Sequence, residues 1–276
     1  MAKQPVKNKN PFAGNWFLTA GAAITVFMIL FTLLGQIWTP YDPSLPDENA
    51  MSLAPSPAHW FGTDSFGRDI LSRVMNGAGT TLLIAFLVVL IGGIAGVIIG
   101  SLTGYFGGVV DEVLMRICDL ITAFPSILLA LIILRIMEPG VKNVVWVLAI
   151  LFVPSFARVV RTEFARCRTQ NYVKLARLQG AGPFRIMLRH ILPNVWPVLL
   201  PAVSIGFNNA VLAEASMSFL GVGVSASEVS LGRMLYDSQN TILRGAPWYA
   251  LTVGLVIVLM ILGFSLLGEG LRQRNR

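Results

Sequence analysis

Charge is scarce in this sequence. Asp, Glu, Lys and Arg supply 13% of its 276 residues, against about 25% in an ordinary soluble domain. That excludes a freely soluble globular chain, because the 55% of hydrophobic residues exceeds what one such domain would carry. Histidine and cysteine are scarcer still, with two of each. Cys118 and Cys167 make no disulfide framework. With two scattered histidines they give no metal site either, so no metal ligand is expected. Cys167 sits among Arg161, Arg166 and Arg168, yet nothing near it suggests redox or nucleophilic work. Catalytic signatures are missing too. There is no G-x-x-x-x-G-K-[ST] loop, no H-E-x-x-H and no G-x-S-x-G. No catalytic residue is expected, and any ATP that drives this chain must be hydrolysed elsewhere. No internal repeat, soluble domain or low-complexity tail is visible.

What the sequence has is long apolar runs. The stretch from Trp16 to Trp38 holds no charged residue and exceeds the roughly 20 residues that cross a bilayer as helix. Backbone groups in lipid must bond one another, which leaves helices or a closed barrel, and unbroken hydrophobicity excludes the alternation of a barrel. The expected fold class is therefore all-α: a polytopic membrane protein with six transmembrane helices, at about 16–38, 81–104, 113–137, 143–161, 195–219 and 248–270. One membrane domain, 16–271, is expected between tails at 1–15 and 272–276. The first run is too long for a signal-peptide core and lacks a small-residue cleavage site, so it reads as a retained helix.

Basic residues gather at the ends of these runs, so the net charge of +7 sets topology rather than binding nucleic acid. Segment 158–193 carries eight Lys and Arg against Glu163, while 39–69 carries five acids against Arg68. The positive-inside rule places both termini and 158–193 in the cytoplasm, and 39–69 and 220–247 outside. Prolines 40, 43, 46, 55 and 57 make 39–67 read as an extended loop, and 68–80 as a short interfacial helix. Gly92, Gly96, Gly100 and Gly104 form a smooth stripe for close helix contact, inside this chain or with a partner chain.

Ionisable groups inside spans are costly and so are candidates for function. Arg116 and Asp119 lie three apart and can form an i,i+3 structural pair. Pro125 is expected to kink that third span. Glu214, in LAEASMSFLG, has no basic residue within a helical turn. It needs a polar neighbour, a wet pathway or a partner chain, so a structural hydrogen bond competes with a pathway or gating role.

The segment NYVKLARLQGAGPFRIMLRHILPN (171–194) is basic and broken. Tyr172, Val173, Leu175, Ala176, Leu178 and Gln179 give a mostly apolar helical face. Gly180-Ala181-Gly182 breaks the helix, and Pro183 suits the first turn of another. Phe184, Met187 and Leu188 line that second helix, which Leu192-Pro193 ends. Such a pair can lie on anionic lipid or fit a groove on a cytoplasmic protein. Charge and amphipathicity do not separate the two.

The same segment resembles the cytoplasmic signature of binding-protein-dependent ABC importer permeases, E-A-A-x₃-G-x₉-I-x-L-P. It matches at Ala176, Gly180, Leu192 and Pro193, and departs at Lys174, Leu175 and His190. HWFGTDSFGRDILSRVMNGA (59–78), DLITAFPSILLA, EASMSFLGVGV and LLGEGLR extend the resemblance, to the dipeptide, oligopeptide and nickel branch. The resemblance implies a type I ABC importer permease fold, in a bacterial inner membrane. It implies ATPase coupling through 171–193, with Lys174, Leu175, Ala176, Gly180, Pro183, Leu192 and Pro193. Implied partners are a second homologous permease, two cytoplasmic ATPase subunits and an external substrate-binding protein. ATP and Mg would act at the ATPases, with no cofactor on this chain. Small peptides come first as cargo and nickel or a metal chelate second. A non-transporting scaffold has no use for an unpaired buried acid, and an ion-coupled transporter would need more intramembrane carboxylates than Glu214.

Overall fold

A computed structural model describes residues 15–243 and 245–274. Residues 1–14 and 275–276 of the expected tails, with the tail lysines, lie outside the described residues. The helices are α1 (Trp16–Ile37), α2 (Ile70–Phe106), α3 (Gly108–Thr122), α4 (Ser126–Ile136), α5 (Val141–Arg168), α6 (Asn171–Leu178), α7 (Pro183–Arg185), α8 (Leu192–Phe219), α9 (Leu231–Leu243) and α10 (Trp248–Arg274). No strand is present among the described residues, which carry a single isolated bridge, Thr63 to Asp69.

Among the described residues, five helical stretches are long and apolar enough to cross a membrane, and α3 with α4 makes a sixth only as a pair bent by 79°. The expected single span at 113–137 is thus corrected to a broken one. Pro125 carries no N–H and disfavours helical backbone at Phe124, so α3 ends at Thr122 and Pro125 sits at the start of α4. The second span is corrected in the other direction. Residues 70–80 are not a separate interfacial helix but the first three turns of α2. Asp69 starts that helix by accepting from the Ser72 N–H (2.8 Å) and hydroxyl (2.7 Å), an N-cap bond.

The core is built on α2 and α5. The glycine stripe lies in this seam: a Cβ on Gly92 would stand 2.8 Å from the Ala149 carbonyl oxygen, and one on Gly100 2.5 Å from that of Ala157. The stripe therefore serves packing within the chain, where missing side chains let two backbones approach. Around it one apolar cluster includes Val74, Ile84, Val88, Leu148, Phe156, Val211 and Met260. A second, smaller cluster closes the end of the bundle that carries 171–193.

The proline-rich segment 39–69 is folded rather than extended. Asp64 accepts from the Phe66 N–H (2.8 Å), the Arg68 N–H (3.0 Å) and Arg68 Nε (2.7 Å). The Thr63 hydroxyl donates to the Ala50 carbonyl. Across from it, 220–247 contains α9, an amphipathic helix with Leu231, Met234, Ser238 and Thr241 buried.

Candidate functional site

Two constellations merit a functional reading, and they lie towards opposite ends of α2. The first is 171–193. Helix α6 stops in a glycine turn: the Ala181 N–H donates to the Ala176 carbonyl (3.0 Å) and Gly180 takes φ +82°, the arrangement that closes a helix with a left-handed residue. Pro183 opens α7 where no N–H is needed. The expected stop at Leu192-Pro193 is corrected. The chain passes from α7 through a π-helical turn, Ile186–Ile191, straight into α8. The Leu192 N–H reaches back to the Met187 carbonyl, a five-residue step. Widening the turn lets the Pro193 ring, which would crowd an α-helical carbonyl four residues back, be carried without breaking the helix.

The apolar faces are also redistributed. Val173 and Ala176 are buried, with Ile186, Met187, Ile191 and Val195, against Val160, Phe164 and Cys167 of α5 and Tyr105 of α2. Leu175, Leu178, Phe184 and Leu188 point away, and Leu178 is 86% exposed. Lys174, Gly180, Pro183 and Pro193 are exposed and Leu192 half-buried. Tyr105 ties the segment to α2: the Arg177 guanidinium stands 5.9 Å from its ring centroid, and Arg168 Nη1 donates to its carbonyl at 2.9 Å. The result is a knob with an anchored inner side and an apolar, cationic outer side. Tyr105 and Arg168 were not singled out from sequence, since their link to the segment is tertiary.

The second constellation surrounds Glu214, which is wholly buried in α8. Three hydroxyls donate to its carboxylate: Thr81 of α2 at 3.0 Å, and Ser218 and Ser230 at 2.8 Å each. Each hydroxyl in turn accepts a backbone N–H, from Leu231 (3.1 Å), Val224 (3.2 Å) and Arg233 (3.1 Å) respectively. A hydroxyl whose lone pair is taken by an N–H has its proton free for the carboxylate. Glu214 is thus the common end of three N–H-to-hydroxyl-to-carboxylate relays, joining α2, α8 and the 224–233 segment. None of the three was singled out from sequence; the i,i+4 spacing of Glu214 and Ser218 is the signal that could have found one of them, whereas Thr81 and Ser230 are brought in by the fold.

The pair expected between Arg116 and Asp119 does not form. Asp119 accepts from Arg158 Nη2 of α5 at 3.0 Å, and Arg116 is exposed. The cross-helix partner is the closer cation for a carboxylate at the α3–α5 contact.

Residues 96–276 match the family model described as binding-protein-dependent transport system inner membrane component. Across 98% of the chain there is 38% identity to the dipeptide transport system permease protein DppC of Alkalihalophilus pseudofirmus, covering 86% of that protein. Across 92% of the chain there is 37% identity to the glutathione transport system permease protein GsiD of Pectobacterium atrosepticum, covering 84% of it. Among solved structures, the inward-facing MetNI methionine ABC transporter aligns with a TM-score of 0.62 at 20% identity, over 74% of this chain and 96% of that one. That similarity concerns the fold.

Proposed function

The chain belongs to the family of binding-protein-dependent transport system inner-membrane components, and from that premise we propose that it forms half of a pathway importing short peptides. The observation that carries the cargo is the 38% identity, over 98% of the chain, to a permease named for dipeptide transport. Further relatives are named for D,D-dipeptide and glutathione transport, all peptides, which sets this reading ahead of nickel or a metal chelate. The second half is a homologous permease, and an external binding protein delivers cargo. Two cytoplasmic ATPases supply the energy, with ATP and Mg held there. Both termini and 171–193 face the cytoplasm, and 39–69 with 220–247 face outward.

In this reading Lys174, Leu175, Ala176, Gly180, Pro183, Leu192 and Pro193 belong to the coupling element. Exposed Leu175, Leu178 and Phe184 enter an ATPase groove, in the helix-in-groove manner. Buried Val173, Ala176, Met187 and Ile191 transmit the displacement. Because the π turn continues into α8 and Arg177 leans on Tyr105 of α2, a push on the knob moves span ends rather than a free loop. ATPase closure can then bias which side of the pathway is open, provided it binds the two states unequally. Glu214 holds α2, α8 and the outward segment in register during that change, so its role is structural rather than gating.

The test is uptake by the complete complex, reconstituted with its ATPases and binding protein. Labelled L-alanyl-L-alanine should accumulate in an ATP-dependent way. Accumulation of nickel or its chelate, with none of the dipeptide, would overturn the peptide reading.

A further inference from the structure

At the end of the bundle remote from 171–193, the 65–68 turn faces α9 across a cavity of about 470 Å³. Phe66, Arg68, Arg233, Tyr236, Asp237 and Asn240 line it, and the coupling scheme uses none of them. Its size falls within the roughly 300–1,000 Å³ of small-molecule sites.

The polar groups here are held but not satisfied. The Arg68 guanidinium stacks 4.7 Å from the Phe66 ring centroid and that of Arg233 4.6 Å from Tyr236, which fixes the plane of each fork. Among the described residues the Arg68 guanidinium spends only Nε, on Asp64 at 2.7 Å. Arg233 Nε lies 3.3 Å from Asp237 but makes no hydrogen bond. The Asp237 carboxylate lies between Arg233 and Arg73, the latter at 3.6 Å, and burial raises its pKa against the pull of Arg233, Arg73 and Arg68. Arg73 shows what a purely structural arginine does in this network. It is 96% buried by its side chain, donates to the Pro43 carbonyl at 3.0 Å and sits between Asp64 and Asp237. Arg68 and Arg233, at 19% and 20% exposed, instead line the cavity with their Nη groups unbonded to described residues. Two guanidinium forks lining one cavity are matched to a carboxylate, and an acid in ion-pair reach of Arg233 and Arg73 that receives no hydrogen bond from either has acceptor capacity left for an ammonium.

We propose that this cavity binds a small zwitterion, the free ends of a short peptide, with its carboxylate on Arg68 and Arg233 and its ammonium on Asp237. It serves as a stop between delivery and the pathway. Naming the zwitterion as a peptide rests on the peptide-import reading; the match of both charges to the cavity does not.

The experiment is equilibrium binding of labelled L-alanyl-L-alanine to the whole permease–ATPase complex in lipid nanodiscs, with the binding protein left out. Saturable binding is expected, weakened about tenfold or more by Arg233→Gln and by Asp237→Asn, the loss expected when one charge-assisted contact is removed. N-acetylated and C-amidated dialanine should compete about tenfold more weakly. Assembly and basal ATP hydrolysis of the variants are measured alongside to show that they fold. Absence of binding, equal binding by both variants, or equal competition by the blocked peptides overturns the proposal. So does a fall in affinity for the binding protein with dialanine binding unchanged, which would make the cavity a protein-docking site. Uptake by the wild-type complex reads the peptide-import reading separately: dipeptide uptake without dipeptide binding here sinks the cavity alone.

Discussion

Glu214 has no cationic partner among the described residues, yet its carboxylate accepts hydrogen bonds from three hydroxyls in a wholly buried place. An unpaired buried acid is costly unless hydrogen bonds replace its water, and the relays through Thr81, Ser218 and Ser230 do that. Glu214→Gln keeps the shape and one acceptor, and Thr81 can turn to accept from the new amide. Glu214→Ala strands three hydroxyls, at about 1–3 kcal/mol for each group left unsatisfied. The expected outcome is that the Gln variant assembles and transports nearly as the parent does, while the Ala variant assembles poorly. Thermal unfolding of the purified complex and uptake read the two. A Gln variant that assembles fully but does not transport would mean that the charge itself gates the pathway. A polar partner for Glu214 was legible in sequence from its isolation. Which groups supply it was not, because Thr81 is 133 residues away.

At the scale of elements, the seam between α2 and α5 depends on missing side chains. Gly100→Val would place a Cβ 2.5 Å from the Ala157 carbonyl oxygen and 2.7 Å from Val160 Cβ, a backbone clash that side-chain rotation cannot relieve. Overpacking of this kind costs about 1–3 kcal/mol, so a lower melting temperature and membrane yield are expected. Gly93→Ala, whose Cβ would meet nothing within 4 Å, is the control and should be neutral; equal loss from both would remove the seam from the account. The spans were legible because long apolar runs dictate helix. Their ends were not. Nothing between Asp69 and Thr81 stops a helix, so α2 absorbs the expected interfacial piece, while the break at Pro125 is sharper than a kink. Helix α9 was missed because its 13 residues are amphipathic rather than apolar, within a segment read only for its charge. The π turn was missed because Pro193 looks like a stop when its neighbours' backbone bonds are unknown.

For the whole molecule, orientation and coupling are the claims at stake. With Cys118 and Cys167 replaced, a cysteine at Ser56 should label from outside intact cells and one at Gln170 should not; the reverse pattern would invert the topology. The family was legible in sequence through motifs at 59–78 and 171–193, whereas the anchoring of the latter to α2 and α8 required the fold. Gly180 tests that anchoring most directly. Its φ of +82° strains any side chain, although space around it is open, so Gly180→Val should redirect α7 without disturbing the spans. Lys174→Glu, exposed on α6, leaves that geometry alone and is the control. The measurement is ATP hydrolysis by the reconstituted complex, with and without loaded binding protein. Stimulation should vanish in a fully assembled Gly180→Val complex and persist in Lys174→Glu, whereas normal stimulation in Gly180→Val would contradict coupling through this segment.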